Sequence, residues 1–506
     1  MHIPSQVDML IIGGGINGTG IARDAAGRGL SVALCEQNDF ASATSSASTK
    51  LIHGGLRYLE HYEFRLVGEA LAEREVLLRI APHIAWPLRF VMPHAKGLRP
   101  GWMIRLGLLM YDRLGGKTTL PRSRGIPLLR TPYGAGLKTE FHKGYLYSDA
   151  WVDDARLVVL NLRSAADHGA AILPRTRFIG ARREGGLWHA DVEDTGTQQR
   201  HTVRARMLVN AAGPWVSQVA GTLGQSRTKA SVRLVKGSHI VVPRLYEGEH
   251  AYIVQDSGKR IIFMIPYERD FTLIGTTDMV VDSISEGAKI TQQELEYLCT
   301  QVSRYSARPV TPDQVVWSYS GIRPLYDDGS VDPSAVTRDY TLVLEDGEVN
   351  VPQLSVYGGK ITTYRKLAEA AMDKLTPWLE GKTAKWTGTE VLPGGDLPAG
   401  GQAAFLPQLA ERYPAMPESL LAALMQRHGT TALAILGDAR KPPDLGEYFG
   451  GNLYEREVRH LIENEWAQNA EDILWRRTKA GLHMSPQQRE RFSAYMESSK
   501  TAHSPA

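Results

Sequence analysis

The sequence predicts an α/β fold that begins with a strand–turn–helix–strand unit and ends in a helical part. Three observations support this prediction. Residues 7–36 contain an apolar strand, the pattern Gly13-x-Gly15-x-x-Gly18, a helix of small residues and a second strand that ends at Glu36. Segments rich in Val, Ile, Thr and Phe recur over residues 232–346, and residues 402–500 carry helical patterns. An antiparallel sheet and a C-terminal helical cap should therefore follow the first unit.

The glycine-containing unit is typical of a dinucleotide-binding site. Gly13, Gly15 and Gly18 allow a tight turn, a close approach of the backbone to a pyrophosphate, and close packing of helix on strand. Glu36, about 20 residues further on, stands where a carboxylate accepts hydrogen bonds from an adenosine ribose. An ordinary tight turn between a strand and a helix would not require all these features in this order. We therefore predict that this unit binds a dinucleotide cofactor.

Length and composition narrow the class of protein. A chain of 506 residues has room for roughly two to four domains, and its net charge of +3 gives no general case for nucleic-acid binding. The two cysteines, Cys35 and Cys299, are far apart in the sequence, which argues against a redox pair, a thiolate metal site or a disulfide framework. Cys35 ends a predicted strand and should be a buried core residue. We predict no metal.

Without a signal peptide or an apolar run of 18 residues, we expect a cytoplasmic protein that does not span a membrane.

The residues after Glu36 form a predicted loop against the ligand. The run of residues 42–49 is too small and polar for a core strand, and Gly54 with Gly55 permits another close backbone approach. A plain flexible surface loop is the alternative. The patterned helix over residues 63–79 favours the ligand-facing interpretation, because the loop leads directly into it.

Later segments extend the nucleotide-binding part. Residues 175–194 predict an antiparallel hairpin that turns at Gly185 and Gly186, and residues 207–210 predict a strand that ends in small residues. After Gly359, apolar residues recur with helical spacing from Tyr364 to Leu375, so this helix should pack inward. Its N-terminus would place positive charge near the bound ligand.

Several motifs together carry a family resemblance. They are HGGLRYLEHYEFRLVGEAL (53–71), WVDDARL (151–157), VNAAGPW (209–215), VKGSHIVVP (235–243), IGTTD (274–278), SGIRPL (320–325), TRDY (337–340), YGGKITTYRKLAE (357–369) and WRRTKAGL (475–482). The chain resembles the respiratory, FAD-dependent glycerol-3-phosphate dehydrogenases of the D-amino-acid-oxidase-like superfamily over nearly its whole length. The resemblance implies an FAD-binding Rossmann-like domain, an antiparallel substrate-binding part and a C-terminal helical cap.

The predicted domain boundaries follow from the same motifs. Residues 1–390 hold the FAD parts, at about 1–85, 147–230 and 350–377, and the substrate part, at about 231–349. Residues 402–500 form the helical domain. The predicted FAD-binding residues are Gly13, Gly15, Asn17, Gly18, Glu36, Thr44, Ser45, Ser48, Lys50, Leu51, Gly54, Gly55, Ala211, Gly213, Gly359, Ile361 and Thr362.

Cations from distant segments predict a site for a phosphate ester, because guanidinium groups bind phosphate through charge-assisted hydrogen bonds. A surface salt bridge is the usual role of a single arginine, but the resemblance assigns Arg57, Arg323 and Arg338 to the substrate. It also brings Tyr58 and Thr276 there. Oxidation of an alcohol requires a base. His239 is the first candidate and Lys360 the second, and both join Arg323 in the predicted catalytic set.

Residues 86–143 are strongly basic, with eleven Lys or Arg against two acids. We predict loops and short helices here rather than a regular sheet. The stretch GWMIRLGLLMYDRLGG (101–116) predicts a helix with Trp102, Met103, Leu106, Leu109 and Met110 near one side. It could lie on an anionic membrane surface or be a core helix with a basic flank. No nucleic-acid-binding module accompanies it.

The predicted reaction is the oxidation of sn-glycerol 3-phosphate to dihydroxyacetone phosphate, with hydride transfer to FAD. The resemblance implies a membrane quinone as the next acceptor, peripheral attachment to the inner (cytoplasmic) membrane and a homodimer. A glycerol-3-phosphate oxidase that reduces O2 to H2O2 is the enzymatic alternative. A flavin-binding or membrane-surface protein without activity is the alternative from another class.

Overall fold

The structure, a computed structural model, describes residues 3–94, 100–223, 231–256, 260–327, 339–346 and 350–502. These residues form twenty strands. The strands are β1 (Gln6–Ile12), β2 (Val32–Cys35), β3 (Leu51–Ile52), β4 (Ala85–Pro93), β5 (Arg124–Pro127), β6 (Lys143–Val152), β7 (Ala171–Leu173), β8 (Thr176–Glu184), β9 (Leu187–Asp194), β10 (Arg200–Asn210), β11 (Ser231–Pro243), β12 (Ala251–Gln255), β13 (Ile261–Tyr267), β14 (Phe271–Gly275), β15 (Met279–Val280), β16 (Trp317–Asp327), β17 (Thr341–Glu345), β18 (Gln353–Tyr357), β19 (Tyr448–Gly450) and β20 (Leu453–Tyr454).

The same residues form twelve α-helices. They are α1 (Ile16–Gly27), α2 (Phe64–Ile80), α3 (Gly101–Leu114), α4 (Asp154–Asp167), α5 (Val216–Gly221), α6 (Gln292–Ser303), α7 (Tyr364–Lys374), α8 (Gln402–Arg412), α9 (Glu418–His428), α10 (Ala432–Leu436), α11 (Glu455–Glu465) and α12 (Pro486–Ala502). Short 3₁₀ turns at Thr44–Ser46, Leu56–His61 and Ile361–Thr363 lie in the loops that surround the site described below.

The first sheet is the nucleotide-binding half. Its strand order is β17-β18-β10-β1-β2-β7, with β1, β2, β7, β10 and β18 parallel, and the β8–β9 hairpin joins it through β10. Helices α1, α4 and α7 cover one face with apolar side chains such as Ile21, Leu157 and Leu367. The carboxyl ends of β1 and β10 therefore meet at one edge, where ligands bind in open α/β sheets.

Several sequence predictions for this half are confirmed. The hairpin turns between Glu184 and Leu187, as predicted. Cys35 is buried, and burial raises the pKa of its thiol to about 12, so this side chain is an inert core residue. Helix α7 buries the predicted apolar positions, but it begins only at Tyr364, because a 3₁₀ turn precedes it.

The second sheet is largely antiparallel and forms the substrate half. Its order is β15-β11-β14-β13-β12-β4-β6-β3, with β16 paired to β11 and β5 to β6. Strands β11 and β16 pair without a break from Ser231 opposite Asp327 to Val241 opposite Trp317. Side chains alternate between the two faces of such a pair. One face packs on α6, and the other is turned towards the cavity described below.

The prediction that residues 86–143 lack regular sheet structure is wrong. Strand β4 pairs along its whole length with β6, and β5 pairs with the same strand. Two prolines, Pro87 and Pro93, obscured β4 in the sequence, because proline has no N–H to donate to a sheet. Strand β12 pairs with β4 only at Phe90 and Val91, so it does not reach Pro87. The structure therefore tolerates a proline at this position.

Helix α3 exposes its apolar side. Only Leu108 and Tyr111 of this helix are buried, whereas Trp102 is 67% and Leu106 50% exposed. The alternative of a buried core helix is therefore wrong. In the described part of the chain, no helix combines the length and apolar character needed to cross a bilayer.

The C-terminal part contains α8 to α12 and the β19–β20 hairpin, and buried ion pairs join it to the nucleotide-binding half. Arg477 donates to both oxygens of Asp39 at 2.8 Å. The Arg156 guanidinium forms a two-point pair with Glu465, with Nη2 to Oε1 at 2.8 Å. Burial alone would raise the pKa of Glu465, but Arg156 holds it at about 2. These pairs fix the orientation of the two parts.

Replacing Glu465 by Gln should lower the free energy of unfolding by about 3 kcal/mol at pH 7, because Arg156 would remain buried without its partner. Urea unfolding measures this difference.

A depressed pKa stabilises the fold above the unfolded value of 4.5, and this contribution is lost as the pH falls towards 2. The gap between the parent and Glu465→Gln should therefore close between pH 4.5 and 2. Glu184→Gln, in an exposed pair, should change stability by less than about 0.5 kcal/mol, and an equal effect of both changes would contradict this account.

Candidate active site

A cavity of about 610 Å³ runs between the two sheets. The turn between β1 and α1 and residues of strands β11 and β16 all line it. Its walls come from segments that are far apart in the chain, including residues 12–17, 41–58, 211–215 and 358–362. The fold therefore brings the predicted dinucleotide and substrate motifs to a single space.

The glycine turn forms a close cradle. Gly13 adopts φ +111°, and a Cβ there would lie 2.5 Å from the carbonyl oxygen of Ala211. The Glu36 carboxylate accepts hydrogen bonds from the N–H groups of Gly14 and Asn38, both at 2.8 Å. Burial raises the pKa of Glu36, while the two N–H donors oppose that change. The Glu36 carboxylate is thereby fixed in the wall of the cavity.

Hydrogen bonds and an ion pair hold the loop after Glu36 in place. The Asp154 carboxylate accepts from the backbone N–H and hydroxyl of Ser48, and it pairs with the Lys50 ammonium at 2.7 Å. The hydroxyl of Ser45 accepts from the N–H of Ile16. This stretch is therefore an ordered wall of the cavity and not a plain surface loop.

Helix α3 supports the loop that contains Gly54 and Gly55. The Gly54 N–H donates to the Tyr111 hydroxyl at 2.8 Å, and that hydroxyl donates to the Asp149 carboxylate at 2.8 Å. Burial raises the pKa of Asp149 to about 6, although the paired Arg74 lowers it. A Cβ on Gly54 would lie 2.9 Å from the Tyr111 ring, so glycine is required for this contact. The loop that carries Arg57 and Tyr58 is anchored in this way.

Three cationic side chains reach the cavity from distant parts of the chain. Arg57, Arg323 and Lys360 line it. The Lys360 ammonium lies 4.1 Å from the centre of the Tyr58 ring, a cation–π contact. In the described part of the chain, neither Arg57 nor Lys360 has an acidic partner, so both can bind an anion. Arg323 donates to the carbonyl oxygen of Thr277 at 3.1 Å and lies 3.4 Å from the Asp278 carboxylate.

His239 lies in the same wall as a neutral imidazole. Its Nε2 is 2.9 Å from the Thr49 hydroxyl, and its ring stacks on Tyr319 at 4.9 Å between centres. Burial lowers the pKa of His239 to about 3, and the positive charges of Lys50 and Arg323 act in the same direction. The Nδ1 atom is buried without a hydrogen-bond partner in the described residues. An unprotonated imidazole held in this way can accept a proton.

The structure brings most of the predicted site residues to the cavity, with three differences. Every described residue of the prediction lines it except Gly18 and Lys50. Gly18 lies beneath the turn, where a Cβ would clash with the Gly13 carbonyl oxygen at 2.0 Å. The Lys50 ammonium is buried against Asp154 and supports the loop from outside the cavity. Arg338 lies outside the described residues.

Other residues of the site were missed by sequence reasoning. Thr49 and Tyr319 contact His239, Asp278 lines the cavity beside Arg323, and Arg260 also lines the cavity. Asp278 belongs to the IGTTD motif, and Thr49 to the loop predicted to face the ligand, so both lay within recognised segments. Tyr319 follows no local pattern, because its contact depends on the pairing of β16 with β11.

The chain matches families of known function along most of its length. A family described as FAD dependent oxidoreductase matches residues 8–365, and the C-terminal domain of alpha-glycerophosphate oxidase matches residues 386–497. The aerobic glycerol-3-phosphate dehydrogenase of Escherichia coli K12 is 50% identical over 489 residues, which cover 97% of each chain. The chain belongs to the FAD-dependent glycerol-3-phosphate dehydrogenase family. The resemblance seen in the motifs is thereby confirmed.

Other members show the range of this family. A glycerol-3-phosphate dehydrogenase of Pseudomonas aeruginosa is 52% identical and covers 98% of this chain and 97% of its own. The D-erythritol 1-phosphate dehydrogenase of Brucella abortus is 48% identical over 98% of this chain and 99% of its own. Among solved structures, the FAD complex of the Bacillus halodurans glycerol-3-phosphate dehydrogenase matches with a TM-score of 0.73 and 26% identity, covering 97% of this chain and 94% of that one.

The cavity fits FAD, the cofactor of this family. The Gly13 cradle and the N-terminus of α1 suit a pyrophosphate, and the fixed Glu36 carboxylate suits a ribose. Asn17 donates to the Gly358 carbonyl oxygen at 3.0 Å, while its own buried oxygen has no hydrogen-bond partner in the described residues. The chain is an FAD-dependent dehydrogenase, and the lining of this cavity fits that cofactor.

Proposed function

We propose that the protein oxidises the C2 alcohol of sn-glycerol 3-phosphate to dihydroxyacetone phosphate and passes the electrons to a membrane quinone. One observation carries this proposal. The buried imidazole of His239 lines the same cavity as the cationic groups of Arg57, Arg323 and Lys360 and the carboxylate of Glu36. This arrangement suits a small phosphorylated alcohol held beside a redox cofactor.

Each side chain has a distinct role in the proposed reaction. FAD supplies the hydride acceptor when it is bound. Arg57 and Arg323 bind the phosphate group, since guanidinium groups donate two parallel hydrogen bonds to phosphate oxygens. Lys360, at the start of the 3₁₀ turn that leads into α7, adds positive charge to the cavity. Thr276 and Tyr58 complete the walls around the substrate.

His239 takes the hydroxyl proton in this proposal. Its low pKa keeps the imidazole unprotonated before the substrate binds, so its proton-accepting form is always present. A bound phosphate brings negative charge close to Arg323 and offsets the positive field, which raises the proton affinity of His239. The histidine therefore becomes a better base only when the substrate is in place. Lys360 is the second candidate for this role.

D-Erythritol 1-phosphate is a second candidate substrate, because a relative at 48% identity carries that name. Asp278 and Arg260 also line the cavity, and their polar groups could bind the additional hydroxyl groups of a longer polyol. Comparison of kcat/KM for the two phosphates decides between them. We expect glycerol 3-phosphate to be the better substrate.

We further propose that α3 attaches the protein to the inner face of the cytoplasmic membrane. Trp102, Met103, Leu106, Leu109 and Met110 are all exposed, and they form an apolar patch on one helix. Arg105 and Arg113 lie on the same helix, and nearby cations each contribute about 1 kcal/mol to binding an anionic membrane. A homodimer, implied by the resemblance, stays a prediction that light scattering measures.

Quinone reduction at a lipid surface tests both the acceptor and the attachment. Replacing Trp102 and Leu106 by Ser should lower reduction of a long-chain quinone in anionic vesicles about thirtyfold or more, because about 2 kcal/mol or more of apolar transfer is lost. Reduction of a water-soluble quinone analogue should stay unchanged, as should both activities of the control Ile462→Ser, at an apolar position that is 37% exposed elsewhere. Stoichiometric H2O2 without quinone reduction would instead identify an oxidase, and unchanged vesicle activity would exclude α3 as the attachment site.

A further inference from the structure

A buried carboxylate on the far side of the substrate sheet bonds to the strands that form the site. Glu294, on α6, is 3% exposed. Its Oε2 pairs with the Lys236 ammonium at 2.7 Å. Its Oε1 accepts from the hydroxyls of Ser238, at 2.8 Å, and Thr277, at 2.7 Å.

Two partners of Glu294 are direct neighbours of predicted substrate and catalytic residues. Ser238 precedes His239, and Thr277 follows Thr276. Because side chains alternate along a strand, Lys236 and Ser238 face α6, whereas Gly237 and His239 face the cavity. The carboxylate thus holds one face of β11, while the other face forms the active-site wall.

The bonds continue from Glu294 to Arg323. The Thr277 hydroxyl accepts from the Ser238 N–H at 2.9 Å, and the Thr277 carbonyl oxygen accepts from Arg323 at 3.1 Å. The Ser238 hydroxyl also lies 2.8 Å from that of Ser320, on β16, three residues before Arg323. One carboxylate therefore joins three separate segments of the wall: β11, the residues after β14, and β16.

We propose that Glu294 is a positioning residue for the reaction: its carboxylate fixes Ser238 and Thr277, and through them it sets the positions of His239 and Arg323. This inference rests on the proposed function for the reaction that it supports. Burial alone would raise the pKa of Glu294, but Lys236 and the hydroxyl donors lower it to about 2. The carboxylate is therefore an acceptor at all physiological pH values. Its hydrogen bonds to Ser238 and Thr277 do not change with pH in that range.

Two matched double variants separate positioning from plain stability. In Lys236→Met/Glu294→Gln, the side-chain amide oxygen of the new Gln still accepts from the hydroxyls of Ser238 and Thr277. In Lys236→Met/Glu294→Leu, the side chain at position 294 offers these hydroxyls no acceptor. Replacing both partners of a buried pair is often neutral for stability. Both variants should bind FAD, and the Leu variant should melt at the lower temperature because the hydroxyls of Ser238, Thr277 and Thr291 lose a buried acceptor. The two variants are therefore compared at a temperature at which both are fully folded. We expect kcat/KM for glycerol 3-phosphate to fall by no more than about threefold in the Gln variant and by about tenfold or more in the Leu variant, since small displacements of catalytic groups have large effects on rate.

A third variant tests the same proposal if the double variants do not fold. Thr277→Val keeps the pair of Lys236 with Glu294 but removes one hydroxyl link, and it should also lower kcat/KM about tenfold. Glu296→Gln, on the exposed side of the same helix, should change nothing. Equal activity of the Gln and Leu double variants, or full activity of Thr277→Val, would overturn the proposal. If the parent enzyme itself fails to oxidise glycerol 3-phosphate, the proposed function is wrong instead.

Discussion

Replacing His239 by Asn is expected to lower kcat for glycerol 3-phosphate by about 10³-fold, because a general base contributes roughly 10²- to 10⁴-fold to such a reaction. Asparagine retains a polar group that can bond to Thr49 but cannot take the hydroxyl proton. Stopped-flow reduction of the flavin measures the loss directly. Flavin content and the KM for the substrate should stay within about threefold of the parent values, because Arg57 and Arg323 remain in place.

The pH dependence provides a further test of the same histidine. An ordinary histidine base would give an inflection in kcat/KM near pH 6.5. Burial and two neighbouring cations lower the pKa of His239 to about 3, so the free enzyme should show no inflection from this residue between pH 5 and 9. Near-normal turnover of His239→Asn across that range would show that another group takes the proton. Lys360→Met would then identify the second candidate.

Replacing Arg323 by Ala should lower kcat/KM for glycerol 3-phosphate by roughly 10- to 150-fold, which corresponds to the loss of about 1.5–3 kcal/mol for a hydrogen bond to a charged group. Arg323 is partly exposed, so the lower part of this range is expected. Steady-state kinetics with both substrates measures the effect. Glycerol, which lacks the phosphate, should be equally poor for the variant and the parent.

The glycerol comparison is the internal control for Arg323. If the variant loses activity towards glycerol by the same factor, Arg323 supports the wall of the site through Thr277 and does not recognise the phosphate. Arg323→Lys should recover part of the activity, because it restores the positive charge without the planar pair of donors. An alanine variant with unchanged kcat/KM would remove Arg323 from the substrate site.

The sequence was informative where the structure depends on local chemistry. The turn at Gly13, the place of Glu36 in the cavity wall and the inward face of α7 follow from spacing within short segments, and the structure has them as predicted. The contact of Glu36 with a ribose stays a prediction. The convergence of Arg57 and Arg323 came from the family resemblance. Composition and spacing alone could not supply it, because these residues lie 266 positions apart in the sequence.

Features that depend on distant pairing could not be predicted. Strand β4 was missed because its prolines conceal it and its partner β6 begins fifty residues later. Residues near α3 gave no indication of whether its apolar side is covered, since coverage depends on what the rest of the chain places there. Glu294 has the ordinary sequence pattern of a helix-capping glutamate. Only the folded sheet shows that its carboxylate also reaches Ser238 and Thr277.

The central claim is that this cavity holds a phosphorylated polyol against FAD, and anaerobic titration of the purified protein tests it most directly. Stepwise addition of glycerol 3-phosphate in the absence of oxygen should bleach the flavin absorbance with one equivalent of dihydroxyacetone phosphate formed per flavin, and equimolar glycerol should leave the spectrum unchanged. A spectrum that persists with excess glycerol 3-phosphate, or that bleaches equally with glycerol, would contradict the account.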